Sequence, residues 1–359
     1  MTLTTEQQTP SGGPSSRPAL AHGVLPRWAP WAVLGGAVLA SAALSVTAGL
    51  NAALFAVVAA VLTGGGLYAW SASVEGTRRA TDRLVTVVVS SAFLLALVPL
   101  VSVLWTVLGY GLERFDLEFF TYSMRGIVGE GGGIYHALMG TLIITGLATL
   151  LSVPIGLLAA VYLVEYGKGR LARAITFFVD VMTGIPSIVA GLFAFALFAL
   201  FFGPGVRMGV VGAVALSVLM IPVVVRSTEE MLKLVPNELR EASLALGVPK
   251  WRTIVKVVIP TSIAGIATGV TLAIARVIGE TAPLLITVGI TTGTNLNPFD
   301  GRMASLPVFA YYSYVAPGVP RDPYLDRAWA AALTLILIVM VLNLLARLIS
   351  RLFAPKTGR

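Results

Sequence analysis

Apolar stretches of about 20 residues recur along the whole chain, and that is the length an α-helix needs to cross the roughly 30 Å hydrocarbon core of a bilayer. Inside a helix every backbone polar group finds its partner within the segment, so such a run can sit in lipid. Eight spans are expected, at roughly 29–48, 52–71, 85–109, 134–163, 174–202, 208–225, 263–290 and 328–350. A membrane β-barrel would show short segments of alternating pattern instead, and the sequence has none. Charged residues make up 12% of the chain, against about 25% in a soluble domain. The expected fold class is all-α, a polytopic helical membrane protein.

The flanks and loops set the topology. Residues 1–27 are rich in Pro, Gly, Ser and Thr and are expected to form a disordered tail. A cleaved signal peptide is not expected, because the polar lead is long and the first apolar run is followed by another. With the N-terminus inside, the basic residues Arg17, Arg27, Arg78, Arg79, Arg83, Lys168, Arg170, Arg173, six more in 226–262, and Arg347, Arg351, Lys356 and Arg359 are all cytoplasmic. Outside are Arg114, Arg125, Arg207, Arg302, Arg321 and Arg327. The imbalance orients eight spans with both termini cytoplasmic. It also accounts for the net charge of +8 without nucleic acid. There is no cysteine, so disulfides and thiolate metal sites are excluded. The two histidines, His22 and His136, are too far apart in sequence to suggest a metal site.

The segment 226–262 is charged and helix-like. Pro236 and Asn237 start a helix with Asn237 as the expected N-cap and with Glu238 and Glu241 near its positive end. Gly247 and Pro249 stop it. A second amphipathic stretch, Trp251 to Val258, leads to Pro260 and the next span. A short helix, a turn and a short helix are therefore expected at the cytoplasmic face.

Glu241-Ala242-Ser243, Gly247 and Val257-Val258-Ile259-Pro260 resemble the EAA motif of ABC importer permeases, with Ser243, Val257 and Ile259 as conservative departures. In that family the short helix fits a cleft of a cytoplasmic ATPase subunit, which implies coupling roles for Glu241, Ala242, Gly247 and Pro260. The chain has no G-x-x-x-x-G-K-[ST] phosphate loop of its own. Further stretches narrow the resemblance: GGIYHALMGTL (132–142), PIGLLAAVYLVEY (154–166), TGIPSIVAGLFAF (183–195), ARVIGETAPLL (275–285) and LPVFAYY (306–312). Together they are similar to the PstA-type permease subunits of bacterial phosphate-specific ABC transporters, with the core at 131–352. Residues 28–130 are read as extra N-terminal spans and an external loop, and 353–359 as a cytoplasmic tail. The resemblance implies a transport subunit rather than an enzyme. It also implies a second, PstC-like permease, two PstB-like ATPase subunits carrying ATP and Mg, a PstS-like external phosphate-binding protein, and a place in the bacterial cytoplasmic membrane. No cofactor is expected on this chain.

Within ARVIGETAPLL, Arg276 and Glu280 are four residues apart inside an apolar run. They are expected to share one face of the helix, about 20 Å into the span at ~1.5 Å per residue. A kink is expected beside Glu280, because Pro283 crowds the carbonyl of Gly279. A buried charge in a span is unfavourable by roughly 3 kcal/mol or more. Either the two groups neutralise each other as a packing device, or Arg276, Glu280 and Thr281 line an anion path, Arg matching a tetrahedral oxyanion through its planar fork. Asp180 is open between an interfacial and a pathway role. Gly184, Pro186 and Ser187 interrupt the fifth span, as a packing kink or as part of the path. The rival readings are a permease for molybdate or sulfate, a proton-coupled secondary transporter, and a non-transporting scaffold.

Overall fold

The computed structural model describes residues 23–49 and 51–353; the expected tail over 1–22, with His22, and the last residues 354–359 lie outside them. The described residues form helices and no strands. The chain divides into two units, one running through Val103 and one from Leu104.

The first unit holds α1 (Ala29–Ala48), α2 (Ala52–Val74) and most of α3 (Thr77–Gly111), close to the first three expected spans. Asn51 caps α2, its side chain accepting from the Leu54 amide at 2.9 Å. The turn after α2 is organised by Glu75, whose residue is buried. Its carboxylate accepts from Arg83 Nε and Nη2, from Ser71 Oγ and from the Leu25 amide. The paired Arg83 holds the Glu75 carboxyl down at about 2.

The second unit follows with α4 (Leu117–Thr121), α5 (Tyr135–Val161, prolonged by a π turn at Tyr162–Tyr166), α6 (Arg170–Thr183), α7 (Ser187–Phe202) and α8 (Gly209–Lys233). Beyond them come α9 (Asn237–Ala245), α10 (Lys250–Thr253), α11 (Ile259–Val277, entered through a π turn at Ile254–Val258), α12 (Ala282–Thr287), α13 (Leu306–Val315) and α14 (Asp322–Phe353). Helix α8 is the axis of this unit. Its Ala213, Leu216, Met220 and Val224 pack with Ile144 and Ala148 of α5, Ala273 and Val277 of α11, and Leu284 of α12. Lipid tails are as apolar as these side chains, so close van der Waals packing rather than exclusion from water holds the cluster together.

Three expected spans need correction. The fifth is two helices, α6 and α7, bent by 111° at the break. Pro186 lacks an amide proton and starts α7, while Gly184 ends α6. The bend falls at the interruption expected from Gly184, Pro186 and Ser187, but it is sharp enough to divide the span. The sixth runs eight residues beyond its expected end at 225, because Arg226–Glu229 and Glu229–Lys233 are one-turn pairs that carry the helix into water. The seventh is shifted. It begins at Lys250, so the second short helix expected at the cytoplasmic face is the first turn of the span, and it ends at Val277 instead of 290. Pro260 is tolerated because the π turn before it widens the ladder, with the Ile259 amide donating to Ile254 O.

Candidate functional site

Helix α11 carries a feature at each end. At one end is the elbow formed by α9 and α10. Pro236, not Asn237, occupies the N-cap of α9, and Asn237 is the first helical residue, its Oδ1 accepting from Arg240 Nη1 at 3.2 Å. The helix ends in a Schellman arrangement: the Gly247 amide donates to Leu244 O at 2.9 Å and the Val248 amide to Ser243 O at 3.3 Å. Gly247 holds φ +78° with open space around a would-be Cβ, so the backbone angle is what calls for glycine there. Ser243, the departure from the EAA pattern, is buried and hydrogen-bonds Thr253 of α10 at 2.9 Å. Glu241, Ala242, Gly247 and Pro260 are exposed.

The elbow is fastened to its neighbours by Arg240. Its Nε donates to Glu165 Oε1 at 2.9 Å, its Nη1 to Val235 O at 2.6 Å and its Nη2 to Leu232 O at 2.9 Å. Lys250 adds a bond to the Glu165 carbonyl and lies over the Tyr166 ring. The π turn at the end of α5 is therefore the seat of the elbow. Glu165 and Arg240 were not singled out in the sequence. They are 75 residues apart, and the available signal was a lone carboxylate at the end of an apolar span.

At the other end, α11 stops one residue after Arg276. Gly279, Glu280 and Thr281 are non-helical, and α12 starts at Ala282 with Pro283 in its first turn. The expected shared face of Arg276 and Glu280 does not exist, because i,i+4 spacing brings side chains together only while the helix continues. No hydrogen bond or ion pair joins them. Arg276 is exposed on this subunit, and Glu280 and Thr281 are half-buried. Packing sets the break: a Cβ on Gly191 of α7 would lie 2.6 Å from Pro283 Cα, so α12 can press against α7 only at a glycine.

That contact also joins two interruptions. Ser187 begins α7 one turn before Gly191, and Thr281 caps α12 two residues before Pro283. The helix that starts at the break of Gly184, Pro186 and Ser187 and the one that starts after Glu280 and Thr281 thus pack against each other within a turn or so of their starts. Asp180 lies in α6, one turn before Gly184. It pairs with Arg226 of α8, whose Nη1 also meets Glu229 at 2.8 Å, and it ties α6 to α8. His136 is buried and packs edge-on to Phe309.

Residues 152–359 match the family described as binding-protein-dependent transport system inner membrane component. Over 275 residues the chain is 50% identical to phosphate transport system permease protein PstA 1 of Mycobacterium tuberculosis strain H37Rv, an alignment covering 76% of this chain and 88% of that protein. The chain belongs to the PstA family. PstA of Pasteurella multocida strain Pm70 is 39% identical over 274 residues, covering 76% of this chain and 95% of its own. Among solved structures, the methionine ABC transporter MetNI in an inward-facing conformation aligns with a TM-score of 0.47 and 19% identity, over 62% of this chain and 94% of that one. The family match within this PstA chain begins at α5 and takes in both the elbow and the break after Arg276.

Proposed function

We propose that this chain is the membrane subunit through which inorganic phosphate enters the cell, driven by a separate ATPase seated on the α9 elbow. The observation that carries the reading is Arg276, an exposed arginine at the end of an apolar membrane helix, without a carboxylate partner and beside two broken helices. An unpaired cation on a span is costly unless it faces another protein or water. Its position fits a path between this subunit and a second, PstC-like permease. Arg276 attracts the anion, Glu280 and Thr281 flank the break that gives the backbone room, and Gly184, Pro186 and Ser187 form its other wall. Glu241, Ala242, Gly247 and Pro260 belong to the coupling surface. The complete machine has two PstB-like ATPase subunits, which bind ATP and Mg, and a PstS-like binding protein outside. Both termini of this chain are cytoplasmic. The test is uptake of labelled phosphate by the assembled complex with sulfate and molybdate as competitors. Uptake abolished by sulfate but not by unlabelled phosphate would end the phosphate reading. Orientation is checked by a cysteine at Asn297, which an impermeant reagent should label from outside, and one at Asn237, which it should not.

A further inference from the structure

Two further arginines are brought together beyond α12. The Met208 amide donates to Thr287 O at 3.2 Å and the Met303 amide to Val288 O at 3.3 Å. These bonds lay the residues just before α8 and the end of the 288–305 loop on either side of the chain leaving α12. Arg207 and Arg302 consequently run past the same point: a Cβ on Gly289 would lie 2.9 Å from Arg207 Cδ and 3.3 Å from Arg302 Cδ. Gly289 is buried, with φ +72°, so the two arginine stems pass over bare backbone there. Arg125, from a third segment, passes 4.0 Å from the equivalent position on Gly293. All three arginines are exposed, and none has a carboxylate within ion-pair distance among the described residues.

Like charges held side by side repel unless an anion lies between them. A cation at the C-terminus of α12 is favourable, but one arginine meets that need. Two planar forks borne on stems that pass the same point suit a tetrahedral oxyanion, which can accept from both. We propose that Arg207 and Arg302 form an anion-holding site, backed by Arg125, that receives inorganic phosphate before it reaches Arg276. The site is one short helix away from the break, since α12 spans only Ala282–Thr287. Its place in transport rests on the phosphate-import reading; its ability to hold an oxyanion does not.

The test uses phenylglyoxal, which modifies accessible arginines, on the full chain in lipid nanodiscs, with mass spectrometry resolving each residue. With inorganic phosphate at several times its dissociation constant, modification of Arg207 and Arg302 should slow by about fivefold, while exposed Arg321 stays unprotected. Arg302→Gln should remove the protection of Arg207. Equal rates with and without phosphate, or protection that survives Arg302→Gln, overturn the site. So does protection that needs the external binding protein, which would make the pair a docking contact. In the assembled complex, Arg207→Gln with Arg302→Gln should cut phosphate uptake by about tenfold, the ratio that corresponds to ~1.4 kcal/mol, with the ATPase subunits still bound. Unchanged uptake removes the transport role. A wild-type complex whose arginines are protected but which imports no phosphate sinks the import reading alone; import with unprotected arginines sinks the site alone.

Discussion

The two ends of α11 treat charge in opposite ways. Around the elbow the charges that fasten it to its neighbours are paired: Arg240 with Glu165, Arg226 with Asp180 and Glu229, Lys233 with Glu229. Around the break, Arg276 and Glu280 stand without one another, and Arg207 and Arg302 lie side by side with no carboxylate. Pairing fixes a joint, because removing one partner strands the other. Leaving a cation unpaired in a span costs stability, so its persistence points to something that visits. The paired charges behind the elbow are read as structure, and the unpaired ones at the break as the proposed path.

The sharpest way to break that division is at Arg276. Arg276→Gln should reduce phosphate uptake to background while the complex assembles normally, and Arg276→Lys should keep partial activity at most, since it retains the charge but loses the fork. Replacing both groups with apolar residues, Arg276→Met with Glu280→Leu, should leave assembly and ATPase association intact and still abolish uptake. Near-normal uptake in that double variant would falsify a transport role for the pair.

A smaller effect is expected from Gly247→Val. A β-branched residue at φ +78° is strained by roughly 1–2 kcal/mol, which opens the end of α9 and weakens ATPase binding in a pull-down. Gly247→Asn, which tolerates the left-handed region, should restore most of it. If Asn fails as badly as Val, bulk at the ATPase contact matters and the backbone does not.

Arg240→Ala should cost about 2 kcal/mol by stranding the buried Glu165 carboxylate and two carbonyls. Amide exchange over α9 should quicken, and Arg240→Ala with Glu165→Gln should recover part of the loss. A double variant no better than the single would mean the pair is not the fastening.

The smallest effect concerns Glu75. Its folded pKa, about 2, lies below the ordinary carboxylate value of 4.5, so it favours the folded turn above that value and the contribution fades as pH falls from about 4.5 toward 2. Exchange at the α2–α3 turn should be flat from pH 6 to 8 and rise below pH 4 beyond what intrinsic rates explain. Glu75→Gln should remove that dependence; a dependence that persists would assign it to another group.

Most of the fold could be read from the chain itself, because lipid demands long apolar helices and basic loops mark their ends. The elbow was legible too, through Pro236, Gly247 and Pro249, whose backbone preferences do not depend on neighbours. What escaped was everything decided by contacts distant in sequence. The end of α11 at Val277 is set by α12 pressing Pro283 onto Gly191, inside an unbroken apolar run. Arg276 and Glu280 looked like partners because their spacing assumed a helix that had already stopped. Arg207 and Arg302 belong to separate loops, joined only by main-chain bonds to residues 287 and 288.

One consequence of Arg240 is mechanical. By bonding at once to Glu165 and to the carbonyls of Leu232 and Val235, it joins the elbow to the ends of α5 and α8, and α10 already runs into α11. Under the proposed ATPase docking, an elbow tied in this way would pass a push on as displacement rather than take it up by local bending. From Lys250 to Arg276 the rod is about 39 Å long at ~1.5 Å per residue, so a tilt of about 5° about its elbow end would carry Arg276 sideways by roughly 3 Å. That stroke is about the length of a hydrogen bond, the distance over which the proposed contact between Arg276 and an oxyanion would form or part.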